Sequence, residues 1–317
     1  MRSAVAVGFR VMMKPVYRLD DLVSRAVLDA GADAPARLAV VGWPIAHSAS
    51  PAMHQAALDA HGIDARYIRL EVEPGGIPEA FRRMRELGFT GCNVTVPHKL
   101  AAMENCTAVD PAARAMGAVN TVRFEPDCIR GFNTDGPGFE RAIEDDFGMP
   151  LHALKTTIAG AGGGAGQALA AQCVLAGVPR LVLANRSFDK LGPMVERLRA
   201  LRNDTEIIPL ALDDPGLSGH CLESDLIVNT SSVGLKDGDP SVLAAACLRP
   251  GHMIYDTIYK PAVTPFLALA AGLGCRTANG LTMLLHQGVL AFQHWFPGTD
   301  PLAVMRAALA VPPSRRN

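Results

Sequence analysis

Residues 155–166 read Lys-Thr-Thr-Ile-Ala-Gly-Ala-Gly-Gly-Gly-Ala-Gly. Thr156, Thr157 and Ile158 are β-branched or apolar and predict a short buried strand. Glycines follow at 160, 162, 163, 164 and 166, and then Gln167-Ala-Leu-Ala-Ala-Gln-Cys-Val-Leu, a strong helix former with an apolar face. Strand, glycine turn and helix in that order form the context a dinucleotide fingerprint requires. Gly160 permits the tight turn, Gly162 lets the backbone approach a pyrophosphate, and Ala165 takes the third position, where a small residue lets helix and strand pack closely. The pyrophosphate then sits on the unpaired N–H groups at the positive end of the helix. Read alone, the same glycines are also compatible with a flexible loop.

The next apolar run, 180–185, sharpens the reading. It ends in Asn185, at the position where an NAD enzyme carries a carboxylate for the ribose 2′-hydroxyl. An amide there, followed by Arg186 and Lys190, attracts a 2′-phosphate that a carboxylate would repel. The pattern therefore predicts NADP rather than NAD; the alternative is that the two cations only solvate the start of the following helix.

Composition bounds what surrounds this unit. The 317 residues are enough for two domains, with 49% hydrophobic and 19% charged residues to build sizeable cores. A formal net charge of −1 leaves no electrostatic footprint for nucleic acid. Seven cysteines form no CxxC pair, which predicts reduced thiols in a cytoplasmic protein, and the nine histidines show no HxH or HExxH spacing, so no metal site is expected. No apolar run approaches the roughly 18 residues of a membrane span. The N-terminal stretch is broken by Arg10 and does not read as a signal peptide.

Upstream, residues 1–36 say little: 19–30 have helical spacing and 31–35 resemble a linker. Strands are expected at 37–42, 67–72 and 90–96, separated by helices at 51–61 and 77–87, with another helix beginning near His98 and Lys99. That alternation predicts βαβ units and a largely parallel sheet. Ser50 before Pro51 reads as a helix N-cap, which places Ser48 and Ser50 on a loop suited to a small carboxylate. Asn93, Thr95 and Lys99 fall at a strand's carboxyl end, where such sheets place ligands. After a short helix at 110–116, the runs 117–122 and 129–135 pair as a hairpin, and 133–138 cross to the glycine-loop domain with Asp135 facing the cleft.

Downstream of the glycine loop the alternation repeats: helix 188–201, strands 206–210, 226–231 and 253–259, and helix 264–271. Two final helices, 281–296 and 301–309, return to the first domain. The expected fold is thus α/β with two domains: an N-terminal substrate domain with a mostly parallel sheet and a Rossmann-like NADP domain, with a cleft between them. The expected boundaries are 1–35 for an extension, 36–134 for the substrate domain, 135–280 for the NADP domain and 281–317 for the returning helices.

Taken together, VGWPIAHSASP (41–51), GCNVTVPHK (91–99), GAVNT (117–121), GFNTDGPGF (131–139), GAGGGAG (160–166), NRS (185–187), YDTIYKP (255–261) and NGLTMLLHQG (279–288) resemble the shikimate dehydrogenase family, which includes quinate/shikimate dehydrogenases. The resemblance implies that Ser48 and Ser50 hold a substrate carboxylate with Tyr259 near it, and that Asn93, Thr95, Asn120, Asp135 and Gln287 bind ring hydroxyls. It implies Lys99 and Asp135 as the catalytic pair. It places NADP on Gly160, Ala161, Gly162, Gly163, Gly164, Asn185, Arg186, Ser187, Lys190, Thr230 and Ser231, with Gly280 near the nicotinamide. Gln55 and Lys260 stand where the family usually has Asn, and Ser231 and Val233 vary a cofactor loop; Lys260 bears on substrate preference. The implied reaction is reversible NADPH-dependent reduction of 3-dehydroshikimate to shikimate by a monomer or homodimer. The alternatives are a quinate or broad quinate/shikimate dehydrogenase and a catalytically silent NADP(H)-binding regulator.

The chemistry can also be argued from the residues. Ketone reduction needs a hydride donor held against the carbonyl and a proton for the developing alkoxide. Lys99 can supply that proton, and Asp135 offsets the unfavourable placing of a cation in a helix's first turn. Without the surrounding motifs the two would read as a surface cation and a helix cap. His47 and His98 are candidates for structural hydrogen bonds rather than for proton transfer.

Overall fold

A computed structural model describes residues 14–202 and 204–310; the expectations for residues 1–13 and 311–317 lie outside these. In chain order the first half is β1 (Tyr17–Arg18), α1 (Arg25–Leu28), β2 (Ala36–Gly42), α2 (Ser50–Ala60), β3 (Arg66–Glu71), α3 (Ile77–Glu86), β4 (Gly91–Val94), α4 (Lys99–Glu104), β5 (Ala108–Val109), α5 (Pro111–Met116), β6 (Thr121–Phe124) and β7 (Ile129–Phe132). These strands form one seven-stranded sheet in the order β1-β3-β2-β4-β6-β7-β5. The second half opens with α6 (Asp135–Phe147) and continues through β8 (Thr156–Ala159), α7 (Gly164–Ala176), β9 (Arg180–Asn185), α8 (Leu191–Leu201), β10 (Glu206–Ala211), α9 (Leu217–Leu222), β11 (Leu226–Asn229), β12 (Met253–Asp256), α10 (Pro265–Gly272) and β13 (Arg276–Asn279). α11 (Leu281–Trp295) and α12 (Leu302–Ala310) close the chain.

The second sheet is wholly parallel, in the order β10-β9-β8-β11-β12-β13. Numbered from its own first strand, that order is 3-2-1-4-5-6, the doubly wound arrangement whose direction reverses between β8 and β11. Ligands in such sheets bind outside the strands' carboxyl ends at that reversal.

In the first sheet β3, β2 and β4 run parallel, whereas β6 and β7 are an antiparallel hairpin laid against β4. The hairpin has a consequence for the site. β6 starts, and β7 ends, at the edge where β4 ends, with Asn93 in register with Thr121 and Thr121 with Phe132. Residues just after β4, just before β6 and just after β7 are therefore gathered at one edge.

Residues 14–35, expected as an extension and linker, take part in this first unit. β1 pairs with β3, and Tyr17, Leu22 and Leu28 are buried in its core. The single helix expected over 19–30 is broken because polar side chains satisfy the backbone locally. Asp21 accepts from the Arg18 N–H at 2.8 Å, and the Ser24 hydroxyl accepts from the Val27 N–H at 3.3 Å, restarting the chain as the one-turn α1.

The closing helices do pack back on the first unit. Leu285, Val289, Phe292 and Trp295 of α11 and Met305 of α12 share a core with Leu38, Val40, Met53, Leu58 and Tyr67. The Trp295 indole N–H donates to the Val122 carbonyl at 2.9 Å. α11 also lies against α6. A Cβ at Gly138 would come within 2.8 Å of the Gln287 backbone nitrogen, so the absence of a side chain there lets the two helices touch. Asp145 near the end of α6 ties both closing helices down, through His286 at 2.9 Å and Arg306 at 2.5 Å.

Candidate active site

The gathered edge of the first sheet faces the carboxyl ends of the second across a cleft of about 440 Å³. All nine residues expected to touch substrate line it: Ser48, Ser50, Asn93, Thr95, Lys99, Asn120, Asp135, Tyr259 and Gln287. They come from the loop before α2, the end of β4, the start of α4, the two ends of the hairpin, the loop after β12, and α11.

The floor of the cleft is a hydrogen-bonded constellation. The Lys99 ammonium donates to Asp135 Oδ2 at 2.7 Å, and Asn120 Nδ2 donates to Asp135 Oδ1 at 2.8 Å. Asn120 is fixed in turn by Thr134, whose N–H donates to its Oδ1 at 2.8 Å. Asn133 Oδ1 accepts from the Asp135 N–H at 3.0 Å and holds the turn that starts α6. Asp135 is therefore the first residue of that helix, not its cap, and its carboxylate sits at the helix's positive end. Lys99 opens α4 in the corresponding unfavourable position, which its ion pair with Asp135 offsets. Asn93 is buried and held by the Tyr67 hydroxyl, which donates to its Oδ1 at 2.7 Å, while its amide donates to Thr121 at 3.1 Å.

Two details at the start of α2 differ from expectation, one at Ser50 and one at His47. Ser50 is the first residue of α2 rather than its cap, and its side chain makes no capping bond. The Ser50 N–H instead donates to the Ser48 hydroxyl at 3.3 Å. Ser48 is thus the residue that turns the chain into the helix. His47 stands exposed at the cleft without the hydrogen bond expected of it among the described residues, whereas buried His98 does bond, its Nε2 lying 2.7 Å from the Val72 carbonyl oxygen. Gln55, one layer back, accepts from the Tyr67 N–H at 3.0 Å and so supports the residue that holds Asn93.

On the far wall, Asp256 anchors the loops after β11 and β12. It accepts from Thr264 Oγ1 at 2.6 Å, the Ile258 N–H at 3.0 Å and Asn229 Nδ2 at 3.1 Å, while its burial raises its pKa. This fixes the segment carrying Thr257 and Tyr259. Burial likewise raises the Tyr259 phenol, partly countered by a hydrogen bond with the Ala49 backbone of the opposite wall. Lys260 is exposed and is not among the residues that line the cleft.

A second groove, of about 320 Å³, lies at the switch point between β8 and β11. Gly160, Gly162, Gly163, Asn185, Arg186, Ser187, Lys190, Thr230 and Ser231 line it, all residues expected to hold cofactor. Gly160 adopts φ +83°, and a Cβ there would lie 2.8 Å from the Ser231 nitrogen. α7 begins without a side-chain cap, leaving its first N–H groups available to an anion. Asn185 bridges the rim, accepting from the Gly162 N–H at 3.2 Å and donating to the Ser187 carbonyl at 2.9 Å. Arg186 and Lys190 are exposed beside it, with no ion pair to either side chain among the described residues. Backbone donors, an open helix start and two uncompensated cations fit a dinucleotide with an added phosphate.

Two of the expected cofactor residues lie outside this groove, and one assigned role moves. Ala161 is buried in the core beneath the turn and Gly164 borders a different groove, while Gly280, expected near the nicotinamide, lines the substrate cleft. The close helix–strand contact belongs to Gly166, where a Cβ would stand 2.6 Å from the Gly160 carbonyl oxygen; Ala165 instead lines the cleft. With three consecutive glycines the spacing alone could not tell which small residue meets the strand. The cleft also contains Ile45, Thr257, Met283 and Leu284, and the groove Leu212, Ser232 and Val242, none of which the reading singled out. Ile45, Thr257, Met283 and Leu284 fall inside quoted motifs; the three groove residues do not. Among the described residues no three or more His, Cys, Asp or Glu converge as metal ligands, and no helix is long and apolar enough to cross a membrane.

Against known proteins, residues 40–122 match the shikimate dehydrogenase substrate binding domain, and residues 280–310 match the shikimate 5'-dehydrogenase C-terminal domain. The shikimate dehydrogenase (NADP(+)) of Moorella thermoacetica is 40% identical over 86% of this chain and 92% of its own, and that of Geobacter metallireducens is 39% identical over 85% and 94%. Among solved structures, shikimate 5-dehydrogenase from Thermus thermophilus in complex with NADP(H) and shikimate superposes with a TM-score of 0.77 at 34% identity, covering 86% of this chain and 98% of the other.

Proposed function

The chain belongs to the shikimate dehydrogenase family, and on that premise we propose that it catalyses the reversible reduction of 3-dehydroshikimate by NADPH and a proton to shikimate and NADP+. The observation that carries the reading is the Lys99–Asp135–Asn120 constellation on the cleft floor, opposite the strand ends that also border the dinucleotide groove.

In this reading the cofactor lies with its pyrophosphate over the glycine turn and the start of α7, and with its 2′-phosphate on Arg186 and Lys190. Bound there, NADPH supplies the hydride. Ser48 and Ser50 hold the substrate carboxylate with Tyr259 across from them. Asn93, Thr95, Asn120, Asp135 and Gln287 orient the ring hydroxyls. Lys99 donates the proton that the developing alkoxide takes up, and Asp135 keeps the ammonium aimed at that oxygen. In the oxidative direction the same lysine receives it. Residues 14–134 with 281–310 make the substrate domain, and 135–280 the cofactor domain. The place of action is the cytoplasm, the state a monomer or homodimer, and the partners small molecules only.

A two-by-two assay tests this. Shikimate and quinate are each offered with NADP+ and NAD+, and kcat/KM is read at 340 nm. The largest value is expected for shikimate with NADP+. A larger value for quinate makes the chain a quinate dehydrogenase, and no reduction in any of the four combinations makes it a silent binder. The intact Lys99–Asp135 pair opposes that last outcome.

A further inference from the structure

The charges lining the substrate cleft leave an anion unbalanced. Its one lysine, Lys99, is already paired with Asp135, and the serines expected to receive a carboxylate are neutral. An arginine stands behind their loop. Arg69 of β3 donates to the Ser48 carbonyl through Nη2 at 2.8 Å and through Nε at 3.3 Å. Neighbouring arginines on this part of the sheet have carboxylates: Arg66 meets Asp29 at 2.8 Å and Arg18 meets Glu71 at 3.1 Å. Arg69 forms no ion pair with a carboxylate among the described residues, and burial depresses its pKa. A part-buried cation without an anion is costly, and that cost is relieved when an anion arrives nearby.

We propose that Arg69 is a positioning residue for the substrate. It fixes the Ser48 carbonyl, so that the serine's hydroxyl is held between the Ser50 N–H and the cleft, and its charge draws the substrate carboxylate to that end. The inference rests on the proposed function, in which Ser48 and Ser50 receive a carboxylate. It adds the charge that the serines lack.

Shikimate and its methyl ester separate the two ideas. Each is assayed with NADP+ against wild type, Ser48→Ala, Arg69→Gln and Arg69→Lys, at low and high ionic strength. Arg69→Gln is expected to raise KM for shikimate about tenfold, with kcat, the KM for NADP+ and the ester's kcat/KM nearly unchanged. Arg69→Lys should recover most of the loss, and added salt should raise KM for shikimate in wild type more than in Arg69→Gln. Equal losses on acid and ester, or no loss on either, would overturn the role of Arg69. If wild type does not prefer the acid to the ester, the serine-loop reading falls, and this inference with it. If Ser48→Ala impairs the acid while Arg69→Gln leaves it untouched, only the inference falls. Should Arg69→Gln fail to fold, the decision passes to Arg69→Lys, which must keep wild-type discrimination between acid and ester; losing it overturns the proposal.

Discussion

Lys99 Nζ lies 2.7 Å from Asp135 Oδ2, although 36 residues separate the two along the chain, and the second oxygen of that carboxylate is occupied by Asn120. Both side chains are mostly buried at the cleft floor, which reduces solvent screening of their attraction. Lys99→Ala should lower kcat by about 10²–10⁴, the range for a positioned acid or base. NADP+ affinity and Tm should barely change, since the lysine reaches neither groove nor core. Asp135→Asn should lose rate and some substrate affinity, and the double variant should be little worse than the poorer single one. Near-normal kcat in Lys99→Ala would sink this mechanism.

Arg186 marks the groove for a phosphate. Replacing it with Ala should weaken NADP(H) by roughly 1.5–3 kcal/mol, the value of a charge-assisted contact, and leave NAD(H) nearly unaffected. Titrating both cofactors by fluorescence checks this; equal losses would remove the assignment.

The two serines should separate in stability as well as in binding. Each change to Ala should raise KM for shikimate and spare NADP+. Because Ser48, not Ser50, accepts the hydrogen bond at the start of α2, a stability loss of about 1 kcal/mol is expected only from Ser48→Ala. Thermal melts of the pair read the difference directly.

Two glycines in the first turn of α7 should behave oppositely. A Cβ at Gly166 meets backbone at 2.6–2.7 Å, so Gly166→Ala should force α7 off β8 and lower Tm strongly. At Gly164 nothing lies within 4 Å, so Gly164→Ala should keep or slightly raise Tm. An unchanged Tm in Gly166→Ala would show that α7 can shift without cost.

His54 predicts a pH dependence. Its ring is fully buried, stacks on Tyr67 at 4.4 Å, and has no hydrogen-bond partner at either nitrogen among the described residues. Burial holds its pKa down to about 3, against about 6.5 in an unfolded chain. Below about 6.5 the unfolded chain therefore takes up a proton that the folded one refuses. The contribution is complete above that pH and declines as pH falls toward 3, by about 1.4 kcal/mol per unit. Urea unfolding of wild type and His54→Phe between about pH 7.5 and 5 should show a shallower dependence for the variant. Parallel slopes would mean that His54 is not the group responsible.

Much of this molecule was legible in the sequence because its signals are local. Glycine after a β-branched run, serine and proline at a helix start, and alternating strand and helix patterns are set by backbone sterics and hydrogen-bond supply within a few residues. The doubly wound sheet and the glycine turn follow from such patterns, as does the hairpin, whereas Asn120, Tyr259 and Gln287 of the cleft were legible only through the family resemblance. Tertiary packing decided what local rules leave degenerate. It chose Gly166 over Ala165 as the point where helix meets strand, because that depends on a backbone approach no spacing encodes. It broke the helix expected over 19–30 and turned 14–35 into sheet and core, because β3 offered a free edge and Asp21 and Ser24 satisfied the chain locally. It also closed the circuit from Lys99 through Asp135 to Asn120. An antiparallel hairpin beside a parallel strand returns its two ends to that strand's carboxyl edge, and only such a return brings residues 99, 120 and 135 within hydrogen-bonding distance.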